Sequence, residues 1–272
     1  MRLPVAWLFV PGDRPDRYAK ALATAAGAVI FDLEDAVSWD RKAAARSQVR
    51  QFLETGDRTG KVIAVRVNPL GALNGIEDLA ALLRAGAQSD LIVLPKTEEP
   101  AVVAVVARLL DDAGSQARLV ALVESAKGVA AAADIAMASP RLVGLMFGAA
   151  DYAADLGQRA GDFDSGYARA TLVNAAAIGG LIAIDSPDFQ FEDVEMLIGS
   201  CARARSLGFH AKAAIHPSQL EAIASAFAPD AASLAEARRL LALSDGGASA
   251  VDGKMIDIAI LRWARRIVEA AT

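Results

Sequence analysis

The stretch AVIFDLEDAVS, residues 28–38, ends an apolar segment in a cluster of charges. Its first part, Ala28–Phe31, is continuously apolar and predicts a buried β-strand. The strand runs directly into Asp32, Glu34 and Asp35, which are three carboxylates within four residues. Charges this close repel one another, and their burial is unfavourable unless a partner compensates. We therefore expect a metal, a cationic ligand, neighbouring Arg or Lys side chains, or open solvent at this point.

Short apolar segments of the same kind recur along the chain, with helical patterns between them. Eight occur at spacings of about 20 to 40 residues, as expected for a strand, a helix and two loops in each unit. Apolar strands that alternate with helices form parallel sheets covered on both faces. Eight such units predict an α/β fold, the closed (β/α)8 TIM barrel, and no G-x-G-x-x-G motif follows the first segment to indicate a dinucleotide-binding sheet. The segments are WLFV 7–10, AVIFD 28–32, VIAVR 62–66, LIVLP 91–95, LVALVE 119–124, LVGLMF 142–147, LIAI 181–184 and KAAI 212–215.

Helix boundaries are also marked in the sequence. In TEEPAVVAVVARLLDDAG we expect Thr97 to cap a helix that has Pro100 in its first turn and Gly114 at its end. This arrangement is typical of the helix that follows a barrel strand.

The pattern changes after residue 217, and we divide the chain there into a barrel, residues 1–217, and a C-terminal helical extension, residues 218–272. We expect the two parts to form one compact unit. In the extension, Asp252-Gly253 lies between two short alternating runs and predicts the turn of a β-hairpin. Such a hairpin is a candidate arm for contact with another subunit.

Composition excludes several classes of function. The chain of 272 residues carries a net charge of −5 without a basic cluster, which argues against nucleic acid and anionic membrane surfaces as partners. Its apolar runs are too short to span a bilayer. The apolar N-terminal run meets Pro11-Gly12-Asp13-Arg14 rather than a cleavage site, so it predicts a first strand and not a leader. The single Cys201 excludes an internal disulfide and fits a reducing, cytoplasmic location.

Polar residues follow the predicted strands, at the end of a barrel where catalysis takes place. Glu124 ends the fifth strand and Asp151 follows the sixth, and two such carboxylates suit Mg²⁺, which prefers oxygen ligands. The alternative is that Glu124 forms a structural ion pair with Lys96 or Arg66. Zinc is less favoured because the chain has only two histidines and no cysteine pair.

A set of motifs gives the sequence a family resemblance. In this order, and over essentially the whole chain, they resemble the citrate lyase β-subunit-like branch of the HpcH/HpaI aldolase superfamily, which also holds malyl-CoA and citramalyl-CoA lyases. The resemblance implies a Mg²⁺-dependent carbon–carbon lyase that cleaves a 3-hydroxyacyl-CoA to acetyl-CoA and a 2-oxo acid. The motifs are LFVPGDRPDRYAKA, VIFDLEDAV, VRVN, VLPK, LVESAKGV, FGAADYAADLG, IHPSQ and GKMID.

The resemblance also implies roles for individual residues. Glu124 and Asp151 match the Mg²⁺ ligands, and Arg66 matches the arginine that clamps the substrate carboxylate. Asp257 of GKMID matches an acid/base that reaches into the site of an adjacent subunit, which implies a homo-oligomer, either a trimer or a hexamer. The positions that line the path of the substrate and the CoA phosphates are Phe9, Arg14 and Lys20.

The resemblance answers the question raised by the carboxylate cluster. Glu34 and Asp35 would bind metal-bound waters or orient Arg66 and Lys96, and Asp32 would do the same or cap a turn. His216 in IHPSQ is open to a structural or a catalytic role.

Two other functions stay open: a class II aldolase that releases pyruvate from a free hydroxy-keto acid, and a non-catalytic protein that binds CoA and metal. The identity of the acyl group is also open. The loop QRAGDFDSGYAR is shorter than in some malyl-CoA lyases, and PKTEEP differs from the usual PKVES-like motif of the family.

Overall fold

A computed structural model describes residues 3–58, 60–84, 88–159, 161, 163–243, 249–251 and 254–271, with the backbone alone for 249–251, 254–256, 270 and 271. The chain divides into two compact units, Met1–Ala224 and Ser225–Thr272. This division lies slightly beyond the boundary predicted after residue 217. The expectation that both parts form one compact unit stays a prediction.

The first unit is a closed barrel of eight parallel strands in chain order, completed by pairing of the first strand with the last. Each predicted apolar segment forms one of these strands, and every boundary agrees to within one residue. The predicted TIM barrel is therefore confirmed. The strands are β1 (Ala6–Pro11), β2 (Ala28–Asp32), β3 (Val62–Arg66), β4 (Leu91–Leu94), β5 (Arg118–Val123), β6 (Leu142–Phe147), β7 (Ile182–Asp185) and β8 (Ala211–Ala214).

Helices connect consecutive strands, as the alternating pattern predicts. In the described part of the first unit they are α1 (Tyr18–Leu22), α2 (Lys42–Thr55), α3 (Leu73–Leu82), α4 (Pro100–Asp112), α5 (Ala126–Ala130), α6 (Ala132–Ala136), α7 (Ala149–Asp155), α8 (Gly166–Gly179) and α9 (Val194–Leu207). Helix α10 (Leu220–Phe227) follows β8 and contains the division between the two units.

Side chains from all around the barrel fill its interior. Trp7 is fully buried there, and its indole N–H donates to the Pro4 carbonyl at 2.7 Å, so its polar group is satisfied. Small residues such as alanine and bulky residues such as Trp7 and Leu91 share this cluster, which makes the interior a packed core rather than a channel. The core residues are Trp7, Ala28, Ile30, Ala64, Leu91, Val93, Val120, Leu122, Met146, Ile184 and Ala211.

The predicted boundaries of α4 are right at one end and wrong at the other. Gly114 follows the helix with a φ of +65°, a left-handed conformation that favours glycine. Thr97 does not cap the helix, because its hydroxyl donates to the Leu94 carbonyl at 2.8 Å and Glu99 occupies the N-cap position. Pro100 is the first helical residue, where its missing N–H is not needed.

The second unit contains a helical pair and a hairpin. Helices α11 (Ala231–Leu243) and α12 (Ile258–Ala271) pack through Ala237, Leu240, Leu261 and Ala264. Between them, β9 (Ser249–Val251) and β10 (Lys254–Ile256) pair antiparallel, as the predicted hairpin requires. The predicted turn residues, Asp252 and Gly253, lie outside the described residues. None of the helices in the described ranges has both the length and the apolar character needed to cross a membrane.

Candidate active site

The carboxyl ends of β2, β3, β4 and β5 bring most of the predicted site residues together. Parallel strands of a barrel end at the same face, so residues far apart in sequence become neighbours there. Asp32 and Arg66 stand opposite each other at the last paired position of β2 and β3. Lys96 and Glu124 follow the ends of β4 and β5 in the same way, and the Lys96 N–H donates to Glu124 Oε1 at 2.8 Å.

Asp32 has two structural tasks and is almost fully buried. Its carboxylate oxygens accept hydrogen bonds from the N–H groups of Glu34, at 2.9 Å, and Ala36, at 3.1 Å, which closes the turn after β2. The same oxygens accept from Arg66, from Nε at 2.7 Å and from Nη2 at 2.6 Å. This bidentate pair is the arrangement that suits a planar guanidinium, and it fixes the direction of Arg66.

Glu34 connects the two cationic side chains of the site. Its Oε2 lies 2.9 Å from Arg66 Nη1, and its Oε1 accepts a hydrogen bond from Lys96 Nζ at 2.6 Å. Asp35 is more exposed and lies 3.9 Å from Arg66 Nη1 and 3.8 Å from Lys96 Nζ. Two of the three carboxylates that follow β2 are therefore buried against Arg66 and Lys96, which explains how the chain tolerates them.

Lys96 has the unusual backbone conformation of the site. Its φ is +48°, and it is the one non-glycine residue with a positive φ among those described. Lysine rarely adopts this left-handed region, and such conformations concentrate at functional sites. Here the conformation lets one residue hold two carboxylates, Glu124 through its N–H and Glu34 through its ammonium group.

Glu124 is a buried carboxylate without a cationic partner: among the described residues it forms no ion pair within 4.0 Å. The alternative of a structural ion pair with Lys96 or Arg66 therefore finds no support. Burial, followed by the nearby carboxylates of Asp151 and Glu34, raises the pKa of Glu124 to about 8. Arg66 and the Lys96 N–H act in the opposite direction and lower this pKa, but they do not offset burial and the neighbouring carboxylates.

Asp151 approaches Glu124 from the helix that follows the neighbouring strand, β6. It lies in the first turn of α7, its side chain is about 38% exposed, and its Oδ1 is 4.0 Å from Lys96 Nζ. Gly148 precedes this helix, and a Cβ added to it would lie only 2.5 Å from both Cβ and Oε2 of Glu124. The absence of a side chain at Gly148 thus provides the space that Glu124 occupies.

The charges of the site leave room for one divalent cation. With all five carboxylates ionised, they exceed the cationic side chains by two negative charges, and Mg²⁺ would supply positive charge that favours the ionised form of Glu124. No group of three or more His, Cys, Asp and Glu side chains with metal-binding geometry is found in the described ranges, so water and substrate would complete the coordination. The carboxylates are those of Asp32, Glu34, Asp35, Glu124 and Asp151, and the cationic groups are those of Lys42, Arg66 and Lys96.

The remaining predicted residues of the barrel occupy different surroundings. The Arg66 guanidinium lies over the Phe9 ring, 4.9 Å from its centroid, so Phe9 forms one wall of the site. Arg14 is exposed and forms a bidentate pair with Asp16 at 2.9 and 2.8 Å. Lys20 is exposed on α1. The substrate-binding roles of these three residues stay predictions.

His216 has a structural task. Its Nδ1 accepts a hydrogen bond from the Ser218 N–H at 3.2 Å and lies 2.7 Å from the Ser218 hydroxyl. The His216 side chain thereby caps the short 3-10 helix after β8. Its ring stacks on Phe191 with centroids 4.7 Å apart.

Asp257 lies in the second compact unit, where it is exposed and caps α12. Its Oδ1 accepts from the Ile260 N–H at 2.9 Å. A catalytic role of Asp257 stays a prediction.

Sequence reasoning missed a buried ionic network beside the site. Lys212 is fully buried in β8 and donates to Asp185 Oδ2 and to the Ser186 carbonyl, both at 2.7 Å. Arg169 Nη1 lies 2.9 Å from Asp185 Oδ1, and a cavity of about 250 Å³ extends from Arg169 and Ser186 to Phe163 and other residues. The available signal was a lysine within the small, otherwise apolar strand AKAA, because a lysine is buried only when it is paired.

Sequence comparison identifies the family. The HpcH/HpaI aldolase/citrate lyase family matches residues 6–217, and a carbon–carbon bond lyase family of the TIM-barrel fold matches residues 170–272. The chain belongs to the HpcH/HpaI aldolase/citrate lyase family. The resemblance stated from the motifs is confirmed, and so is the prediction of a lyase-type enzyme at the level of this family.

Individual relatives cover nearly the whole chain. The (3S)-malyl-CoA thioesterase of Cereibacter sphaeroides is 36% identical over 97% of this chain and 93% of its own. The L-malyl-CoA/β-methylmalyl-CoA lyase of the same organism is 34% identical over 97% of this chain and 93% of its own. Among solved structures, CitE of Mycobacterium tuberculosis in complex with magnesium, acetoacetate and coenzyme A is 38% identical, with a TM-score of 0.82 over 99% of this chain and 98% of that one. The predicted Mg²⁺ agrees with the metal in this relative.

Proposed function

We propose that the protein is a Mg²⁺-dependent carbon–carbon lyase that cleaves a 3-hydroxyacyl-CoA of the malyl-CoA or citramalyl-CoA type to acetyl-CoA and a 2-oxo acid. The observation that carries the proposal is the buried, unpaired Glu124 beside Asp151 and a buried arginine, at the carboxyl end of a TIM barrel. The family and the malyl-CoA lyase relative support it.

Glu124 and Asp151 would hold Mg²⁺. When bound, the metal acts as a Lewis acid toward the oxygens of the hydroxy-carboxylate end of the substrate and stabilises negative charge that develops there. The magnesium in the CitE structure supports a divalent metal in this chain, and the family resemblance of LVES and GAAD supports Glu124 and Asp151 as its ligands.

Arg66 would bind the substrate carboxylate with the part of its guanidinium that Asp32 leaves open. Its Nε and Nη2 donate to Asp32 and its Nη1 lies 2.9 Å from Glu34 Oε2, so the incoming carboxylate has to use the N–H groups of Nη1 and Nη2 that these two carboxylates leave open. Burial alone lowers the pKa of Arg66, but the carboxylates of Asp32, Glu34 and Glu124 raise it above its ordinary value. The arginine therefore stays charged, held in direction by Asp32 and in position by the Phe9 ring below it.

Asp257 would act as the acid/base in the site of a neighbouring subunit of a homo-oligomer, a trimer or a hexamer. The substrate hydroxyl releases its proton to water as its oxygen becomes the carbonyl of the 2-oxo acid, and the broken carbon–carbon bond leaves its electron pair on the acetyl fragment as a thioester enolate. Asp257 would give a proton to that carbon, and in the reverse direction it would remove a proton from the methyl group of acetyl-CoA. The family resemblance of GKMID supports this role.

The CoA moiety would extend past Arg14 and Lys20. Both side chains are exposed on the first βα unit, where they are accessible to phosphate groups. Arg14 would have to exchange its exposed partner Asp16 for a phosphate, and exposed ion pairs of this kind contribute little stability. The single cysteine supports a cytoplasmic location for such an enzyme.

The test is product formation from malyl-CoA and citramalyl-CoA by the purified protein, with Mg²⁺ and with EDTA. The expected result is acetyl-CoA and an equimolar 2-oxo acid with Mg²⁺, and neither product with EDTA. Release of free CoA instead would indicate hydrolysis of the thioester, as the name of the thioesterase relative suggests. No turnover of either thioester, with cleavage of a free hydroxy-keto acid, would favour the class II aldolase.

Asp257 is tested in the same assay by two variants that separate its possible roles. Asp257→Asn keeps an oxygen that can cap α12 but loses the acid, whereas Asp257→Ala loses both. We expect both variants to lose at least 100-fold in kcat, and only the Ala variant to lose about 1 kcal/mol of stability with the cap. An active Asn variant would refute the catalytic role and leave the metal site unaffected.

A further inference from the structure

Lys42 is a buried lysine next to the site whose task the proposed reaction does not explain. It is the first residue of α2, and its side chain is buried. Its Nζ donates to the Leu33 carbonyl at 2.9 Å and to the Glu34 carbonyl at 2.7 Å. The first turn of a helix disfavours a positive charge, so the helix itself gains nothing from a lysine there. The contacts of Lys42 with the loop account for its position.

The loop that Lys42 holds carries the carboxylates of the site. It connects β2 with the helical segment before α2, and in it Glu34 reaches Lys96 with its side chain while its carbonyl is bound by Lys42. Lys96 in turn donates a hydrogen bond from its backbone N–H to Glu124 Oε1. Three hydrogen bonds of 2.7, 2.6 and 2.8 Å thus connect Lys42, through Glu34 and Lys96, with the carboxylate proposed to bind the metal.

The same face of α2 supports the loop by a second route. Arg46 lies one turn after Lys42, and its Nε donates to the fully buried Asp78 at 2.6 Å. Asp78 accepts from the Asn68 side chain at 2.6 Å, and Asn68 donates to the Leu33 carbonyl at 2.8 Å. The Leu33 carbonyl therefore accepts from both Lys42 and Asn68. This second route helps to fix where the loop lies, and Lys42 adds a side-chain contact to the Glu34 carbonyl, which also accepts from the Val37 N–H at 2.9 Å.

We propose that Lys42 is a positioning residue for the divalent-metal site: its clamp on the Leu33 and Glu34 carbonyls sets the place of Glu34, and through Lys96 the place of Glu124. This inference rests on the proposed metal site but not on the identity of the acyl-CoA. It predicts the direction in which removal of Lys42 changes the affinity for a cation. By charge alone, removal of a positive group beside the carboxylates of Asp32, Glu34 and Asp35 would strengthen the binding of a cation. If Lys42 acts by positioning, its removal weakens that binding.

The experiment measures the affinity of the purified protein for Mn²⁺ by electron paramagnetic resonance, without any substrate. Lys42→Met removes the ammonium group and keeps the length of the side chain. The matched control is Lys61→Met, because Lys61 Nζ also donates to a backbone carbonyl, that of Thr24 at 2.9 Å, just before β3 at the opposite end of the barrel. Lys42→Met loses two lysine–carbonyl hydrogen bonds and Lys61→Met loses one, and thermal unfolding shows how much stability each variant loses.

We expect Lys42→Met to bind Mn²⁺ at least fivefold more weakly than the wild type, and Lys61→Met to stay within twofold. Unchanged or tighter binding by folded Lys42→Met would overturn the inference and leave the metal site standing. Equal weakening in both variants would also overturn it, since a general loss of stability would then be the cause. Absence of Mn²⁺ binding by the wild type would refute the metal site itself. Should Lys42→Met not fold, Lys42→Gln, which is too short to reach both carbonyls, is judged by the same criterion.

Discussion

The contact between Gly148 and Glu124 allows a sharp test of the site by the substitution Gly148→Ala. Gly148 has a φ of −106°, which any residue can adopt, so a new methyl group would not strain the backbone. The added Cβ would instead lie 2.5 Å from Cβ and 2.5 Å from Oε2 of Glu124. Ordinary contact begins at about 3.4 Å, so either Glu124 or the start of α7 has to move by about 0.9 Å.

The size of the effect follows from this displacement. Overpacking of a buried position costs about 1–3 kcal/mol, which for a chain of this length is a fall in Tm of several degrees. Mg²⁺ requires near-ideal octahedral geometry with ligands at about 2.0–2.1 Å, so a shift of about 1 Å in one carboxylate is not tolerated. We expect Mn²⁺ or Mg²⁺ affinity to fall at least tenfold, and the turnover rate with saturating substrate and limiting metal to fall with it.

The assay combines Mn²⁺ titration with thermal unfolding at one protein concentration. The control is Gly199→Ala, since Gly199 lies within α9 and a Cβ there would meet nothing within 4 Å. This control should gain about 0.5–1 kcal/mol from helix propensity and keep its metal affinity. If Gly148→Ala binds the metal within twofold of the wild type, Glu124 is not the carboxylate that binds the metal against Gly148, and the reasoning is wrong.

Three further predictions concern buried groups of the barrel. Burial raises the pKa of the Cys201 thiol to about 11, so the folded protein should not react with a disulfide reagent at pH 8, and rapid labelling of native protein would contradict this. The free energy of unfolding should also fall as the pH rises above about 9, because only the unfolded thiol ionises there. Lys212→Met should lower the free energy of unfolding by about 3–5 kcal/mol in a urea titration, since it leaves Asp185 buried with one partner fewer. A loss below about 1 kcal/mol would show that the buried ionic network around Asp185 contributes little to stability. Arg66→Lys should lower the free energy of unfolding by about 1.5–3 kcal/mol in the same titration, because an ammonium group cannot replace both hydrogen bonds to Asp32. A variant as stable as the wild type would show that the Arg66–Asp32 pair contributes little to stability.

Local sequence patterns were sufficient for the fold, whereas the roles of the site residues came from the family resemblance and stay predictions. Eight apolar segments of strand length, separated by helical patterns, determined the barrel because continuous burial and period are properties of neighbouring residues. The same apolar segments also placed Arg66, Glu124 and Asp151 at or just after strand ends. Where a local rule failed, as at Thr97, a nearby competitor decided: the Leu94 carbonyl took the hydroxyl that was expected to cap a helix.

The sequence by itself determined that charged residues gather after the strands, but only the tertiary structure decided which charge meets which. Arg66 pairs with Asp32 across 34 positions, and Lys96 pairs with Glu34 across 62. The support of the loop by Lys42 and the space left by Gly148 could not be predicted from spacing either. These contacts join different strands and helices, and their partners are chosen by the closure of the barrel, which brings the carboxyl ends of all its strands to one face.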